Sequence, residues 1–572
     1  MKKIRIAGPP GTGKTRRLVE IFYDCIQQYS ATEIIVTSHT NTAADEIRKR
    51  ILDTKNIQQY QEKKGKDILR LVRESRKTLE ETVTTIHKYC KLQIERKKGK
   101  AVVFDGDDYN NLKIQHPLFD SHTGSKEFYN LKMLIARHPF FKFHSTARDN
   151  GSDTVTYYRT LSFEERRNFK YTITELQELE KNYNSFKSNI KLNLRAERIL
   201  DFQDMAEHFT SSDEIKSEDL GIKLLMVDEA QDSSVLQRAA EVKMAAAVEY
   251  FYKAGDPDQS IFEFAGANPH AFHIEFARPE EELEQGFRCP RVINEYCKDI
   301  IRPLWKHYKY AGGGRVWSPR RELDKEGKPT GPIVEGEKFE MMNLEQDPHL
   351  AELSKRLKQT NETFAFTYRG NEPTETVRYL TRLGVPFKIA DEHNRFQFKY
   401  PTADIKNQRE FLKLIREKKK LTAAAIKRIL KNTLPEYVGK NYSEENLEKI
   451  DKGHHDIEWL IKHQFLNPIV KESDDFQNIK KISKISYIST IEMKNFIRRV
   501  VEYDPSGDLE KTPRIFLENI HTIKGKEFDN CIVDLTIPRE EHDYTKRRIK
   551  YVACSRARKT LWLIKSKNGL TL

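Results

Sequence analysis

The chain has 572 residues, 100 Lys and Arg against 86 Asp and Glu, a formal net charge of +14 and six cysteines. At roughly 150 residues per domain this length allows about three or four domains with real cores, which excludes a small stapled scaffold. No apolar run approaches the ~18 residues of a bilayer-spanning helix, the cysteines form no C-x-x-C pair, which favours reduced thiols over a disulfide frame, zinc ribbon or iron–sulfur cluster, and the positive balance points to a polyanionic partner.

In chain order, Met1-Lys2-Lys3 is a basic tip, but the apolar stretch behind it is too short and interrupted for a secretory signal, so an intracellular, cytoplasmic protein is expected. Residues 4–7, 8–15 and 16–22 read as strand, glycine-rich loop and amphipathic helix. Residues 33–37 are a short β-branched run and 41–52 have helical period, an alternation that predicts a parallel sheet covered by helices. From about 91 to 200 long polar stretches with aromatic residues take over, closing on Leu176, Leu179, Tyr183, Phe186 and Ile190 at helix spacing. This segment reads as an insertion. Leu224-Leu225-Met226-Val227 resumes the buried-strand signature, and 252–256 ends another strand. The Gly/Pro-rich stretch 312–332 reads as an exposed loop or hairpin. Residues 363–367, 385–389, 532–535 and 561–564 supply the strands of a second α/β unit. Between them 401–510 is rich in helix and lysine. Lys406 to Lys431 holds ten basic residues against two acidic ones, which fits either a solvated helix face or a surface turned to nucleic acid.

Gly8-x-x-x-x-Gly13-Lys14-Thr15 matches the phosphate-binding loop in full. Its glycines let backbone N–H groups turn to the β-phosphate, the helix N-terminus adds a favourable dipole, Lys14 reaches the β/γ oxygens, and the Thr15 hydroxyl is placed to ligate Mg²⁺. The nucleotide-binding stretch is then Gly8, Pro9, Pro10, Gly11, Thr12, Gly13, Lys14, Thr15 and the adjoining Arg16. The strand at 224–227 ends in Asp228-Glu229-Ala230-Gln231-Asp232. Taken alone this is an acidic turn after a core strand. Paired with the loop it suits hydrolysis, Asp228 holding Mg²⁺ through its outer shell while Glu229 orients and deprotonates the attacking water. Together the two segments specify an ATPase that uses ATP and Mg²⁺.

Further segments follow in order: Thr37-Ser38-His39-Thr40-Asn41-Thr42-Ala43-Ala44-Asp45-Glu46-Ile47, Thr85-Ile86-His87-Lys88-Tyr89, Ile199-Leu200-Asp201-Phe202-Gln203-Asp204-Met205, Gly255-Asp256-Pro257-Asp258-Gln259-Ser260-Ile261-Phe262, Leu283-Glu284-Gln285-Gly286-Phe287-Arg288, Ile520-His521-Thr522-Ile523-Lys524-Gly525-Lys526-Glu527-Phe528, and Tyr551-Val552-Ala553-Cys554-Ser555-Arg556-Ala557-Arg558. With the loop and the acidic strand end, this series resembles the superfamily 1 helicases of the UvrD/Rep/PcrA type over most of the chain. The resemblance implies an α/β fold of two tandem RecA-like parallel-sheet ATPase domains, each with a mostly helical insertion. The first comprises 1–90 and 200–280 with its insertion at 91–199. The second comprises 281–400 and 511–572 with its insertion at 401–510.

The resemblance also implies roles. Arg288 and Arg556, both expected on the second unit, meet the charge that spreads over the transferring γ-phosphoryl. Gln259 senses that phosphate, Gln231 assists, Glu527 binds the ribose, and Phe287 stacks on adenine. The implied catalytic set is Lys14, Asp228, Glu229, Gln259, Arg288 and Arg556. Single-stranded DNA would run across both units along His39, Thr40, Thr85, His87, His521 and Lys524, with Phe262 and Phe264 as a stacking platform or, on the plainer reading, as core residues of a strand-to-helix turn. Three departures stand out: the seven residues ahead of Gly8 hold no counterpart of the family's adenine-reading glutamine, His39 replaces a stacking Phe, and Ala265 replaces an Arg.

The expected function is an ATP-dependent single-stranded DNA translocase and helicase that moves 3′→5′ and serves replication, repair or recombination. Its partners would be single-stranded DNA, single/double-strand junctions and replication or repair proteins, with no membrane, and the chain would be a monomer in isolation. The alternatives are a 5′→3′ or RNA-preferring helicase and an ATP-driven remodeller of strand-bound proteins with little unwinding.

Overall fold

The apolar runs around residues 6, 36 and 226 become interior strands because each is buried on both faces, as only the middle of a helix-covered parallel sheet allows. A computed structural model describes residues 1–65, 67–103, 113–114, 129–130, 139–169, 171–193, 198–269, 272, 281–307, 316–324, 327–368, 373–390, 398, 400–473, 477, 488–535 and 543–565. The chain divides into two units, one of Met1–Arg288, Asp299–Pro332 and Arg547–Tyr551, the other of Cys289–Lys298, Ile333–Lys546 and Val552–Leu572.

In the first unit six parallel strands lie in the order Glu281–Glu282, Lys2–Ala7, Tyr250–Gly255, Leu224–Val227, Ile34–Ser38, Val83–Thr85. Side chains alternate across it. Leu224 and Met226 join Ile6, Val36 and the helix residues Leu18 and Phe22 on one face, while Leu225 and Val227 join Ile35, Phe251, Met205 and Phe209 on the other. Because every strand is parallel, all carboxyl ends share one edge, where ligands bind in open α/β sheets. Ala7 pairs with Gly255 and Val227 with Lys253, so the segments that follow these strands leave the sheet side by side.

Helices Pro139–Asp149 and Ile173–Asn193 form a separate small core from Phe140, Phe141, Phe143, Leu176, Leu179 and Tyr183. The helix at 173–193 is the one expected from its spacing. The side chains of Phe186 and Ile190 lie outside the described residues, as do residues 312–314 of the glycine-rich stretch.

The second unit repeats the plan with six parallel strands in the order Glu337–Met341, Ala557–Ile564, Phe528–Asp534, Phe364–Tyr368, Ile515–Asn519, Lys388–Ile389. Its core joins Phe366, Leu517, Ile532 and Trp562 to Leu353, Leu380, Ile405, Phe496 and Val500.

Two expected boundaries move. Helices Thr402–Ile415 and Thr490–Tyr503 bury Ile405, Phe496 and Val500 in the sheet core, so the layer that covers the second sheet reaches into 401–510. A separate core built from Phe411, Ile426, Leu430, Leu460 and Val470 lies within that span. The switch expected at 281 falls later, because Glu281–Glu282 adds to the edge of the first sheet beside Ile6 and Ala7 and the first unit runs on to Arg288. Among the described residues no helix is long and apolar enough to cross a membrane.

Candidate functional site

The turn after Lys2–Ala7 bends through Gly11 and Gly13, whose φ angles of 71° and 91° an L side chain resists. Gly13 caps helix Lys14–Cys25 without a side-chain acceptor, and no acidic residue occupies the helix's first turn. An uncapped, positively biased helix end opening on a glycine turn suits an anion. Thr12 Oγ1 donates to Pro9 O at 2.8 Å, and the Lys14 ammonium donates to the carbonyls of Gly8 (2.7 Å) and Pro9 (3.2 Å), folding the lysine over the loop. Arg16 is exposed, 3.5 Å from Glu20.

The decisive contact is Thr15 Oγ1 donating to Asp228 Oδ2 at 2.9 Å, which ties the phosphate-binding loop to the acidic strand end. Burial and the adjacent Glu229 push the Asp228 carboxyl up, opposed by Thr15 and Lys14. Glu229 sits at φ 53°, ψ 37°, the left-handed region, at a cost on the order of 1 kcal/mol or more for a non-glycine. Gln231 clamps the arrangement. Its amide nitrogen donates to Glu229 Oε2 at 2.6 Å, and its amide oxygen accepts from the Asp256 backbone N–H at 2.9 Å. Glycine at 255 leaves room for this clamp, since a β-carbon there would lie 2.6 Å from Gln231 Oε1 and 2.8 Å from Phe272 Cε2. Gln259 donates to Asp256 Oδ2 at 2.8 Å, and the Trp305 indole N–H donates to Asp258 at 2.8 Å. The three strand ends thus carry one connected polar network.

Arg288 departs from expectation. It belongs to the first unit, buried beside the loop: a β-carbon on Gly11 would meet Arg288 Cβ at 2.5 Å, and the neighbouring Phe287 N–H donates to Gly11 O at 2.8 Å. Phe287 is 39% exposed. In the second unit Arg556 is buried and donates to Val552 O (2.9 Å) and Ser555 Oγ (3.1 Å). The exposed Glu527 adjoins it, because the following Phe528 N–H donates to Arg556 O at 3.1 Å. His521 follows the carboxyl end of Ile515–Asn519, whereas Glu527 and Arg556 precede Phe528–Asp534 and Ala557–Ile564, parallel strands of the same sheet, so the sheet keeps His521 at the opposite end of its strands. Lys524 lies in the connecting turn, half-buried.

Of the expected strand contacts, His39, Thr40, Thr85, His87, Phe262 and Phe264 belong to the first unit, and His521 and Lys524 to the second. Thr40 and Thr85 cap helices Asn41–Leu52 and Ile86–Lys98 by accepting from Ala43 N (3.2 Å) and Lys88 N (3.3 Å), and their strands are neighbours. The rings of His39 and Phe262 lie 5.0 Å apart. The side chain of Phe264 lies outside the described residues. One residue escaped the sequence reading: Phe202 is 43% exposed and its ring lies 5.4 Å from that of His87, whose buried Nε2 has no hydrogen-bond partner among the described residues. The signal was present in the Asp-Phe-Gln-Asp segment, where a large apolar residue immediately follows a helix-capping Asp201.

Residues 1–276 match the family model described as the UvrD/REP helicase N-terminal domain, and residues 514–564 match the UvrD-like helicase C-terminal domain. The chain belongs to the UvrD/Rep-like superfamily 1 helicases. It is similar, at 23% identity over 598 residues, to the ATP-dependent DNA helicase Rep of Buchnera aphidicola subsp. Schizaphis graminum (strain Sg), over 98% of this chain and 82% of that protein. Family membership makes this helicase an ATP-dependent, DNA-acting enzyme and its two sheets tandem RecA-like folds. The loop and the Asp228–Gln231 clamp both fall within the N-terminal match, and Glu527 and Arg556 within the C-terminal one.

Proposed function

We propose that this helicase translocates 3′→5′ on single-stranded DNA and separates the strand ahead at single/double-strand junctions, in replication, repair or recombination. The observation that carries the ATPase half is the Thr15–Asp228 hydrogen bond at 2.9 Å, with Lys14 on one side and the Gln231–Glu229 clamp on the other. Lys14 and the uncapped helix end would bind the β- and γ-phosphates. A hydroxyl and a buried carboxylate in contact are a donor set that fits Mg²⁺, so Thr15 and Asp228 would hold the ion, which supplies charge neutralisation on the phosphates when bound. Glu229, held by Gln231, would take the proton of the attacking water. By the family resemblance Arg288, which lies beside Gly11, and Arg556 would meet the charge on the γ-phosphoryl, Gln259 would report the γ-phosphate to the adjoining 260–267 turn, Glu527 would bind the ribose, and Phe287 would stack on the base.

For the strand, two neighbouring helix N-termini at Thr40 and Thr85 would hold phosphates, and the His39–Phe262 and His87–Phe202 pairs would offer ring faces to bases. Hydrolysis measured with and without oligo(dT) tests this reading. Strand stimulation of about tenfold or more, lost in Lys14→Ala, is expected; hydrolysis indifferent to any nucleic acid would sink it.

A further inference from the structure

Asp149, the last residue of helix Pro139–Asp149, lies outside every motif, yet it touches the 199–205 segment and the residues that follow two others, 228–232 and 255–262. Its carboxylate accepts from Gln203 Nε2 at 3.1 Å, on the residue next to Phe202, and from Ser234 Oγ at 3.5 Å, five residues past Glu229. Its backbone and β-carbon press on Gly266, where an added β-carbon would come within 3.0 Å of Asp149 Cβ, C and O. Gly266 ends the turn that begins at Phe262, and the next residue, Ala267, pairs with Ser234 in an isolated antiparallel bridge. One carboxylate therefore sits where the aromatic turn, the Phe202 helix start and the segment leaving Glu229 converge.

We propose that Asp149 is a positioning residue that couples strand contact to ATP turnover, holding the 262–267 turn and the 202–203 helix start in one fixed relation to Ser234. A base stacked on Phe262 or Phe202 then bears on Ser234, and through the short 230–233 segment on Gln231 and Glu229. The coupling depends on the ionised carboxylate, because the two neighbouring donors use its two different oxygens; a proton on either displaces Gln203 or turns the Ser234 hydroxyl around. The charged groups facing Asp149 are Arg148 on its own helix, which favours ionisation, and Asp201 from the turn before the Phe202 helix, which opposes it. Arg148 is itself held by Asp201, Asp204 and Glu207, and Glu263 in the adjacent turn is taken up by Arg548. Burial dominates, so the carboxyl is pushed up to about 7, within reach of ordinary buffers.

The inference rests on the strand-stimulated ATPase reading, so basal and oligo(dT)-stimulated rates are measured separately, in wild type and Asp149→Asn, from pH 6 to 8.5. The expected result is an unchanged basal rate in Asp149→Asn with stimulation reduced about tenfold, and a wild-type ratio of stimulated to basal rate that falls below pH 7 where the variant's ratio stays flat. Wild type that is not stimulated at any pH overturns the functional reading itself. Stimulated wild type with a flat ratio across this range, or Asp149→Asn with the full wild-type ratio and profile, overturns the role of Asp149 alone. The wild-type profile carries the test by itself if the variant fails to fold.

Discussion

Gln231 shows how much a single side chain decides. Its amide holds Glu229 with one end and the Asp256 backbone with the other, and the space it occupies is the space a side chain at residue 255 would need. Gly255→Ala is therefore expected to push the amide aside and lower kcat by about 10²-fold, the scale of an ångström-sized misplacement, while nucleotide binding measured by fluorescence titration changes little. Glu229→Gln removes the proton acceptor and should lower kcat by about 10²- to 10⁴-fold with nucleotide binding retained. The loop and the Asp-Glu pair were legible in the sequence, because glycine geometry and paired carboxylates leave local signatures. The clamp was not, since it joins residues 25 apart in the chain whose proximity follows from strand pairing. Arg288 was misassigned for a related reason: its motif identifies an arginine that meets phosphate, but the two acidic residues Glu281 and Glu282 give no apolar signal for the edge strand that carries it to the first sheet.

At the level of elements, most interior strands were legible and most edges were not, although the interior Ile515–Asn519 went unforeseen and the edge strand Lys388–Ile389 falls within the expected 385–389. Leu224–Val227 announces itself as a continuous apolar run, whereas Glu337–Met341 has exposed and half-buried positions and a charged sequence, and Val83–Thr85 is only three residues long. The insertion of the first unit is joined to it by charge. Arg148 pairs with Asp201 (3.0 Å), Asp204 (2.7 Å) and Glu207 (2.6 Å), and Lys187 pairs with Asp201 and Asp204. Breaking such a buried set by removing one partner costs on the order of 3–5 kcal/mol. Arg148→Met should therefore lower the melting temperature by several degrees, measured by differential scanning calorimetry. An equal melting temperature would show that the pairs contribute no net stability.

For the whole molecule, two buried imidazoles make stability sensitive to acid. Burial holds His87 and His144 at about 4, below the ordinary 6.5. At these two sites the unfolded chain binds more protons than the folded one between those values, so their contribution to stability is full above about 6.5 and drains away as pH falls toward 4, while the raised Asp149 and Asp228 carboxyls act in the opposite sense. On going from pH 7 to pH 5 the urea midpoint of His87→Gln with His144→Gln should therefore rise relative to that of the wild type; a difference that stays the same at both pH values would contradict it. The excess of basic residues has a clearer place in the fold than in the sequence: Lys418, Lys419 and Lys420 form an exposed turn between helices Thr402–Ile415 and Ala423–Lys431. If that turn meets nucleic acid, affinity for a junction will fall steeply with salt and less steeply in Lys418→Glu with Lys420→Glu. The central claim, ATP-driven strand separation with 3′→5′ polarity, is tested most directly by unwinding partial duplexes that carry either a 3′ or a 5′ single-stranded DNA tail. The account predicts ATP-dependent separation of the 3′-tailed substrate and none in Lys14→Ala; separation of the 5′-tailed substrate alone, or of neither despite strand-stimulated hydrolysis, would contradict it.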